Sequence, residues 1–271
     1  MSDSPLILSA TDVSVRAPGA GGDTGVVERA SFTLRRGEVL GIVGESGSGK
    51  SLTALALLGL ASANLRVSGQ LLFDGEGYDL SSPQSLKPLR GPRIGMIFQD
   101  PRLSLNPVRS IGSHFRELRP DARPSAPSLS RDDTIGLLTS VGVPDPAKRL
   151  KQYAHELSGG LCQRVMIALA LATAPDLLIA DEPTTALDTT VQAQILDLID
   201  KLRTKGGMSV ILISHDLAVV SELADRVAVM RRGRILETGS TQAIFENARD
   251  DYTRRLVSLA SSAGVLVEQG R

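Results

Sequence analysis

The chain has 271 residues, with 30 Lys and Arg against 30 Asp and Glu, 42% hydrophobic residues, 3% aromatics, one cysteine and no tryptophan. That is globular composition, with enough length for one large domain or two small ones around a substantial core. A lone Cys162 excludes an internal disulfide and a cysteine-built metal site and points to a reducing compartment, while zero formal net charge and few aromatics argue against a broad basic, base-stacking nucleic-acid face.

Met1 to Pro5 lacks the basic stretch of a signal peptide, and the longest apolar runs, Leu52 to Ala63 and Val165 to Ala174, fall short of the roughly 20 residues a bilayer requires. The expectation is a chain soluble by itself, held at any membrane by other chains. Leu6–Val15 and Val26–Leu34 alternate apolar and polar residues around a Gly-rich Ala17–Gly25, the pattern of an antiparallel hairpin. Val39–Val43 reads as a strand buried on both faces, followed by a glycine loop and a helix over Lys50–Leu60. Further strands are expected at Val67–Phe73, Ile94–Phe98, Leu177–Ala180 and Val210–Ile213, and as a hairpin of Val227–Met230 with Arg234–Glu237 across Arg232-Gly233. Helices are expected at Ser158–Thr173, Thr190–Arg203 and Leu217–Ala224. This alternation is that of an α/β domain around a mostly parallel sheet, with an N-terminal antiparallel β subdomain. Residues 99–157 have no β-branched runs and are interrupted by Pro120-Asp-Ala-Arg-Pro-Ser-Ala-Pro-Ser128, so they read as an inserted helical subdomain with an exposed loop. No repeat of 20 to 50 residues is visible.

Gly44-Glu45-Ser46-Gly47-Ser48-Gly49-Lys50-Ser51 matches the phosphate-loop pattern G-x-x-x-x-G-K-[ST] and lies between a buried strand and a helix, where such a loop works. Its glycines let the backbone turn successive N–H groups inward and the helix N-terminus adds its positive end. Lys50 can reach β- and γ-phosphates and Ser51 can ligate Mg²⁺. The binding stretch runs from Gly44 through Leu52. Leu177-Leu-Ile-Ala-Asp181-Glu182 is an apolar strand ending in two carboxylates. Because side chains alternate along a strand, the two need different tasks: Asp181 toward Mg²⁺, Glu182 toward the attacking water as general base. Leu157-Ser158-Gly159-Gly160-Leu161-Cys162-Gln163-Arg164 precedes an apolar helix expected to be buried, with Ser158 as its N-cap. On cap chemistry alone this is an ordinary helix start that could also receive an anion.

Together these motifs resemble the ATP-binding cassette family, whose LSGGxxQR signature is matched at residues 157–164. The resemblance extends to Gln99 as a Q-loop, Ala186-Leu-Asp188 as a D-loop and His215 as a switch histidine. More narrowly, Phe98-Gln-Asp-Pro101, Ser104-Leu-Asn-Pro107, Tyr153-Ala-His-Glu-Leu157, Val191-Gln-Ala-Gln-Ile195 and Asp251-Tyr-Thr-Arg254 resemble the importer branch that handles peptides and nickel. The resemblance implies an ATPase using ATP and Mg²⁺ and coupled to import at the cytoplasmic face of the inner membrane. Its implied partners are two transmembrane permease subunits, a second ATP-binding subunit (a paralogue or another copy) and an extracytoplasmic solute-binding protein, with no nucleic acid. Two cassettes would face head to tail, so that Ser158, Gly159 and Gly160 meet the γ-phosphate of ATP held by the opposite subunit. Gln99 would contact Mg²⁺ or water and His215 the γ-phosphate. His114 and His155 are read as structural.

Three departures from the family stand out. No aromatic lies near Val15-Arg16 to stack on adenine, leaving an aliphatic face or the Arg16 guanidinium. Cys162 reads as a packed small side chain. The chain stops at Arg271 without a Cys-rich extension, a shortness shared with nickel-type subunits. Nickel and di- or oligopeptides therefore stay open as cargo. The expected layout is a cassette over residues 6–257 and a short tail over 258–271. A soluble cassette protein acting on ribosomes or nucleic acid is the alternative, disfavoured by a single cassette, neutral charge and no heptads.

Overall fold

The computed structural model describes residues 4–19, 22–118, 129–184 and 189–262. Strands run at Leu6–Ala17 (β1), Thr24–Arg35 (β2), Val39–Val43 (β3), Arg66–Phe73 (β4), Glu76–Asp79 (β5), Ile94–Ile97 (β6), Leu177–Asp181 (β7), Ser209–Ser214 (β8), Arg226–Arg231 (β9) and Arg234–Ser240 (β10). Helices run at Lys50–Leu57 (α1), Pro101–Ser104 (α2), Ile111–Glu117 (α3), Arg131–Ser140 (α4), Pro146–Arg149 (α5), Gly159–Leu171 (α6), Thr189–Gly206 (α7), Leu217–Ser221 (α8), Thr241–Asn247 (α9) and Asp251–Ser262 (α10). The chain divides into two compact units, one of Met1–Lys87 with Ser209–Arg271 and one of Pro88–Met208.

The first unit holds an antiparallel sheet in the order β2-β1-β4-β5. It also holds the strands β10-β9-β3-β8, in which β3 lies parallel to both β8 and β9, and β10 returns antiparallel on the edge. Every residue of β3 and β8 is buried, as their unbroken apolar runs require of strands covered on both faces. The expected N-terminal and C-terminal hairpins form as antiparallel pairs. Helix α1 stops three residues before its expected end. Gly59 takes a left-handed φ of 59°, its N–H bonds the Ala56 carbonyl and the Leu60 N–H bonds the Leu55 carbonyl. This is the Schellman closure, which glycine permits without steric cost.

Three elements of this unit escaped the sequence reading. The strand β5 has no β-branched residue, but it pairs with β4 around Asp74-Gly75, both at positive φ, and that Asp-Gly pair was its sequence signal. Helix α9 starts at Ser240, whose hydroxyl accepts the Ala243 N–H at 3.2 Å. Helix α10 extends to Ser262 and so runs across the expected boundary between cassette and tail at 257/258.

In the second unit β6 and β7 pair in parallel, with Ile94 opposite Leu177, and Arg93 Nε bonds Asp176 Oδ2 at 2.6 Å just before both strands. Residues 99–157 hold α2, α3, α4 and α5, while the compact unit extends on both sides to include β6, α6, β7 and α7. Helix α6 is buried at Val165–Ala168 but only half-buried from Leu169 to Leu171, where it ends. The expected burial through Ala174 is thus corrected: hydrophobic composition alone could not show which half of the helix meets the core. The Pro120–Ser128 interruption and Ala186-Leu-Asp188 fall outside the described residues.

Candidate active site

The first unit carries the glycine-rich loop of residues 44–51 and His215. β3 delivers the chain to Gly44, where a Cβ would sit 1.9 Å from the Met230 carbonyl oxygen of β9. Any side chain there would collide with backbone, so the loop can begin its turn only at a glycine. Residues 45–47 are exposed, whereas Ser48 and Lys50 are each 4% exposed. The Lys50 ammonium donates to the carbonyl oxygens of Gly44 at 2.7 Å and Glu45 at 2.9 Å, curling the side chain back over its own loop. Outside the loop, the Gly233 N–H donates to the Ser48 carbonyl at 2.9 Å and the Glu45 N–H donates to the Tyr252 hydroxyl oxygen at 2.9 Å. Ser51 and Leu52 lie half-buried in the first turn of α1. His215 follows β8 directly and is exposed, and the next residue, Asp216, caps α8 through the Ala218 N–H at 2.8 Å.

A cavity of about 770 Å³ lies on the first unit, lined by Arg16, Gly25, Val27, Arg29, Arg234 and Ile235 among others. It borders the phosphate loop at Val27, whose Cγ2 is 3.1 Å from where a Gly49 Cβ would be. Val15 is buried and takes no part in this lining, so the aliphatic surface on offer is that of Val27 and Ile235, with Arg16 beside it. Two other arginines of the lining are paired, Arg29 with Asp12 at 3.1 Å and Arg234 Nε with Glu28 at 2.6 Å.

The second unit, taken by itself, carries Gln99, Asp181, Glu182 and the helix α6 that begins within the LSGGxxQR segment. All of β7 is buried, and it ends at Asp181, which is 4% exposed. Glu182 does not continue the strand: it takes a φ of 47° and turns the chain. The two carboxylates therefore differ in environment because the strand stops between them, not because strand alternation carries through both. A non-glycine residue in the left-handed region costs on the order of 1–2 kcal/mol, a strain that collects at functional sites. Gln99 Nε2, just past β6, donates to Glu182 Oε2 at 3.1 Å and so orients the carboxylate, a contact the motif reading had not joined. A second missed residue is Gln163. It is 4% exposed, and its Nε2 donates to the Pro183 carbonyl at 2.7 Å, tying the signature helix to the turn that carries Glu182. Its sequence signal was its place in the LSGGxxQR match at residues 157–164, which named the residue but not its partner.

Ser158 is the N-cap of α6, its hydroxyl accepting the Leu161 N–H at 3.3 Å, and Ser158 and Gly159 are exposed with Gly160 half-buried. Ser158→Ala is expected to lower stability by about 1 kcal/mol and Ser158→Gly by only a few tenths, read as the shift in thermal midpoint. A thermal midpoint for Ser158→Ala equal to that of the wild-type chain would show that the hydroxyl does not cap. Cys162 is fully buried and its Sγ donates to the Ala154 carbonyl at 3.3 Å. Burial pushes its pKa up against the opposing influence of Arg102, so it is a packed thiol and not a nucleophile. His114 is structural, with Nε2 accepting the Asn106 N–H at 3.0 Å and Nδ1 donating to the Ser110 carbonyl at 3.0 Å. The rings of His155 and Tyr153 stack at 5.6 Å.

Mg²⁺ prefers hard oxygen ligands and keeps several waters alongside substrate phosphates. The Ser51 hydroxyl and the Asp181 carboxylate are donors of that kind, so the residues suit the ion. Among the described residues there is no group of three or more His, Cys, Asp or Glu placed to hold a metal by themselves.

The family described as ABC transporter matches residues 27–185. The chain is 48% identical over 254 residues to the peptidoglycan transport ATP-binding protein YejF of Agrobacterium fabrum, spanning 93% of this chain and 46% of that protein, so it covers about half of that relative. It is 47% identical to the oligopeptide transport ATP-binding protein OppD of Lactococcus lactis, over 96% of this chain and 78% of that one. It is 48% identical to the dipeptide transport ATP-binding protein DppD of Escherichia coli, over 85% and 71%. In fold it is similar to the ATP-binding cassette MJ0796 in a dimeric post-hydrolysis state bound to ADP and Pi, with a TM-score of 0.74 at 24% identity, covering 86% of this chain and 98% of that one. It is also similar to cbiO1 of Clostridium perfringens, with a TM-score of 0.70 at 27% identity over 97% of this chain and all of that one. The chain belongs to the ABC transporter family and carries that family's ATPase domain.

Proposed function

We propose that this ATPase is the energy-coupling subunit of an importer that takes up di- or oligopeptides. The observation that carries the reading is the pairing of two devices in one chain: a phosphate loop exposed at residues 45–47 with a buried lysine behind it, and a strained Glu182 oriented by Gln99. The backbone N–H groups of Gly44, Glu45, Ser46, Gly47, Ser48 and Gly49, with Lys50, Ser51 and Leu52, take the ATP phosphates. The adenosine end lodges in the neighbouring cavity, its base against Val27 and the Arg16 guanidinium. Ser51, Asp181 and Gln99 would hold Mg²⁺, directly or through water. Held there, the ion would supply positive charge to offset the charge that develops on the phosphate oxygens. Glu182 accepts a proton from the water that attacks the γ-phosphorus. As that P–O bond forms, the bond to the β-phosphate oxygen breaks, leaving ADP and phosphate. His215 steadies the γ-phosphate, and Ser158, Gly159 and Gly160 serve the ATP held by a second cassette.

Peptide cargo is favoured over nickel because the relatives at 47–48% identity are named for peptidoglycan, oligopeptide or dipeptide transport. Among the described residues no helix is long and apolar enough to cross a membrane. In this reading two permease subunits hold the chain at the inner face of the inner membrane. A solute-binding protein outside presents the cargo. Replacing the chain in its native cell by its Lys50→Ala form should abolish uptake of a labelled oligopeptide and leave uptake of labelled Ni²⁺ intact. The opposite pattern would move the cargo to nickel, and loss of neither would remove the importer reading.

A further inference from the structure

The peptide plane between Gly44 and Glu45 is held from both sides. Its carbonyl oxygen accepts the Lys50 ammonium at 2.7 Å, and its N–H donates to the Tyr252 hydroxyl oxygen at 2.9 Å. Because the peptide unit is planar, tilting it to loosen one bond loosens the other. The next carbonyl along, that of Glu45, is also a Lys50 acceptor, at 2.9 Å. The position of the lysine ammonium thus depends on a peptide whose other edge is fixed by a residue more than 200 positions away in sequence.

Tyr252 is itself firmly placed. It is 6% exposed in the first turn of α10, and its own N–H donates to the Asp250 carboxylate at 2.8 Å, which caps the helix. Glu237 of β10 accepts the N–H groups of Arg249 at 2.9 Å and Asp250 at 3.1 Å, fixing the entry of the chain into α10. Burial works to raise the Glu237 pKa, but these hydrogen bonds outweigh it and hold the carboxyl below its usual range, so the anchor stays charged. The Arg231 guanidinium at the end of β9 lies over the Tyr252 ring, 4.5 Å from its centroid. Burial raises the pKa of the phenol, which keeps it neutral around pH 7.

We propose that Tyr252 is a positioning residue for ATP binding: its hydroxyl oxygen clamps the Gly44–Glu45 peptide so that the carbonyls of the phosphate loop hold the Lys50 ammonium in place for the phosphates. The proposal rests on the reading that residues 44–51 take the ATP phosphates. It makes α10 part of the nucleotide machinery and not a peripheral cover. By thermodynamic reciprocity, nucleotide held by the loop must in turn steady α10.

Tyr252→Phe removes the oxygen and keeps the ring under Arg231. In the full chain with its membrane partners, the KM for ATP should rise about three- to tenfold, the loss of one hydrogen bond, with kcat within about twofold of wild type. In amide hydrogen exchange, Mg-ATP should slow exchange across Asp251–Ser258 in wild type and do so far less in Tyr252→Phe. Arg231→Met, which loosens the ring without touching the hydroxyl, should shift KM the same way by a smaller factor and serves if the Phe variant folds poorly. A lower thermal midpoint with unchanged KM and unchanged ATP-dependent protection would reduce Tyr252 to a packing residue and overturn the proposal. Lys50→Ala separates the two layers. If it abolishes ATP binding while Tyr252→Phe binds normally, only the clamp fails; if Lys50→Ala binds ATP as wild type does, the phosphate-loop reading fails and the clamp with it.

Discussion

Glu182→Gln is expected to bind Mg-ATP about as tightly as the wild-type chain and to hydrolyse it on the order of 100- to 10,000-fold more slowly, the range a positioned general base supplies. The substitution keeps the volume of the side chain and an oxygen facing the Gln99 amide, which now donates to it at 3.1 Å. What it removes is the ability to accept a proton from the attacking water. The same geometry sets a second, smaller expectation: Gln99→Ala leaves the base in place but unoriented, so its loss of kcat should be well below that of Glu182→Gln. Single-turnover release of phosphate from preloaded Mg-ATP measures both. Hydrolysis by Glu182→Gln at more than a tenth of the wild-type rate would exclude this carboxylate as the base.

Lys50→Ala should weaken ATP binding on the order of 100-fold and bring hydrolysis to background, because charge-assisted hydrogen bonds to phosphate oxygens are each worth about 1.5–3 kcal/mol. Lys50 is also a structural member of the loop, donating to two of its carbonyls while only 4% exposed. The variant should therefore lose some thermal stability even without nucleotide, which Glu182→Gln should not. Lys50→Arg tests the distinction further: it retains the charge but replaces a compact ammonium with a planar fork that suits the curled loop poorly. Equilibrium binding of a fluorescent ATP analogue, paired with thermal unfolding of the nucleotide-free chain, distinguishes loss of the phosphate ligand from loss of the loop.

Much of this site is local chemistry and was legible in the chain. The phosphate loop, the carboxylate pair ending an apolar strand and the Ser158 cap each depend on neighbours within a few residues. β3 was placed to the residue and β7 and β8 nearly so, because strands buried on both faces are written as unbroken apolar runs. β5, α9 and α10 were not found. Their segments are polar or mixed, and they owe their form to a paired strand, a serine cap and burial of one face against the rest of their unit.

The sequence by itself determined the family, the α/β class and the positions of the glycine-rich loop and of the carboxylate pair. All of these are carried by short motifs whose function is set by covalent spacing. Only the tertiary structure decided that Glu182 leaves its strand at a positive φ, that Gln99 orients it, that Gln163 braces the turn behind it and that Tyr252 reaches the phosphate loop. Each of those contacts joins residues 20 to more than 200 positions apart. No local pattern encodes such a meeting, because it exists only once the intervening chain has given up its conformational freedom to the packed core.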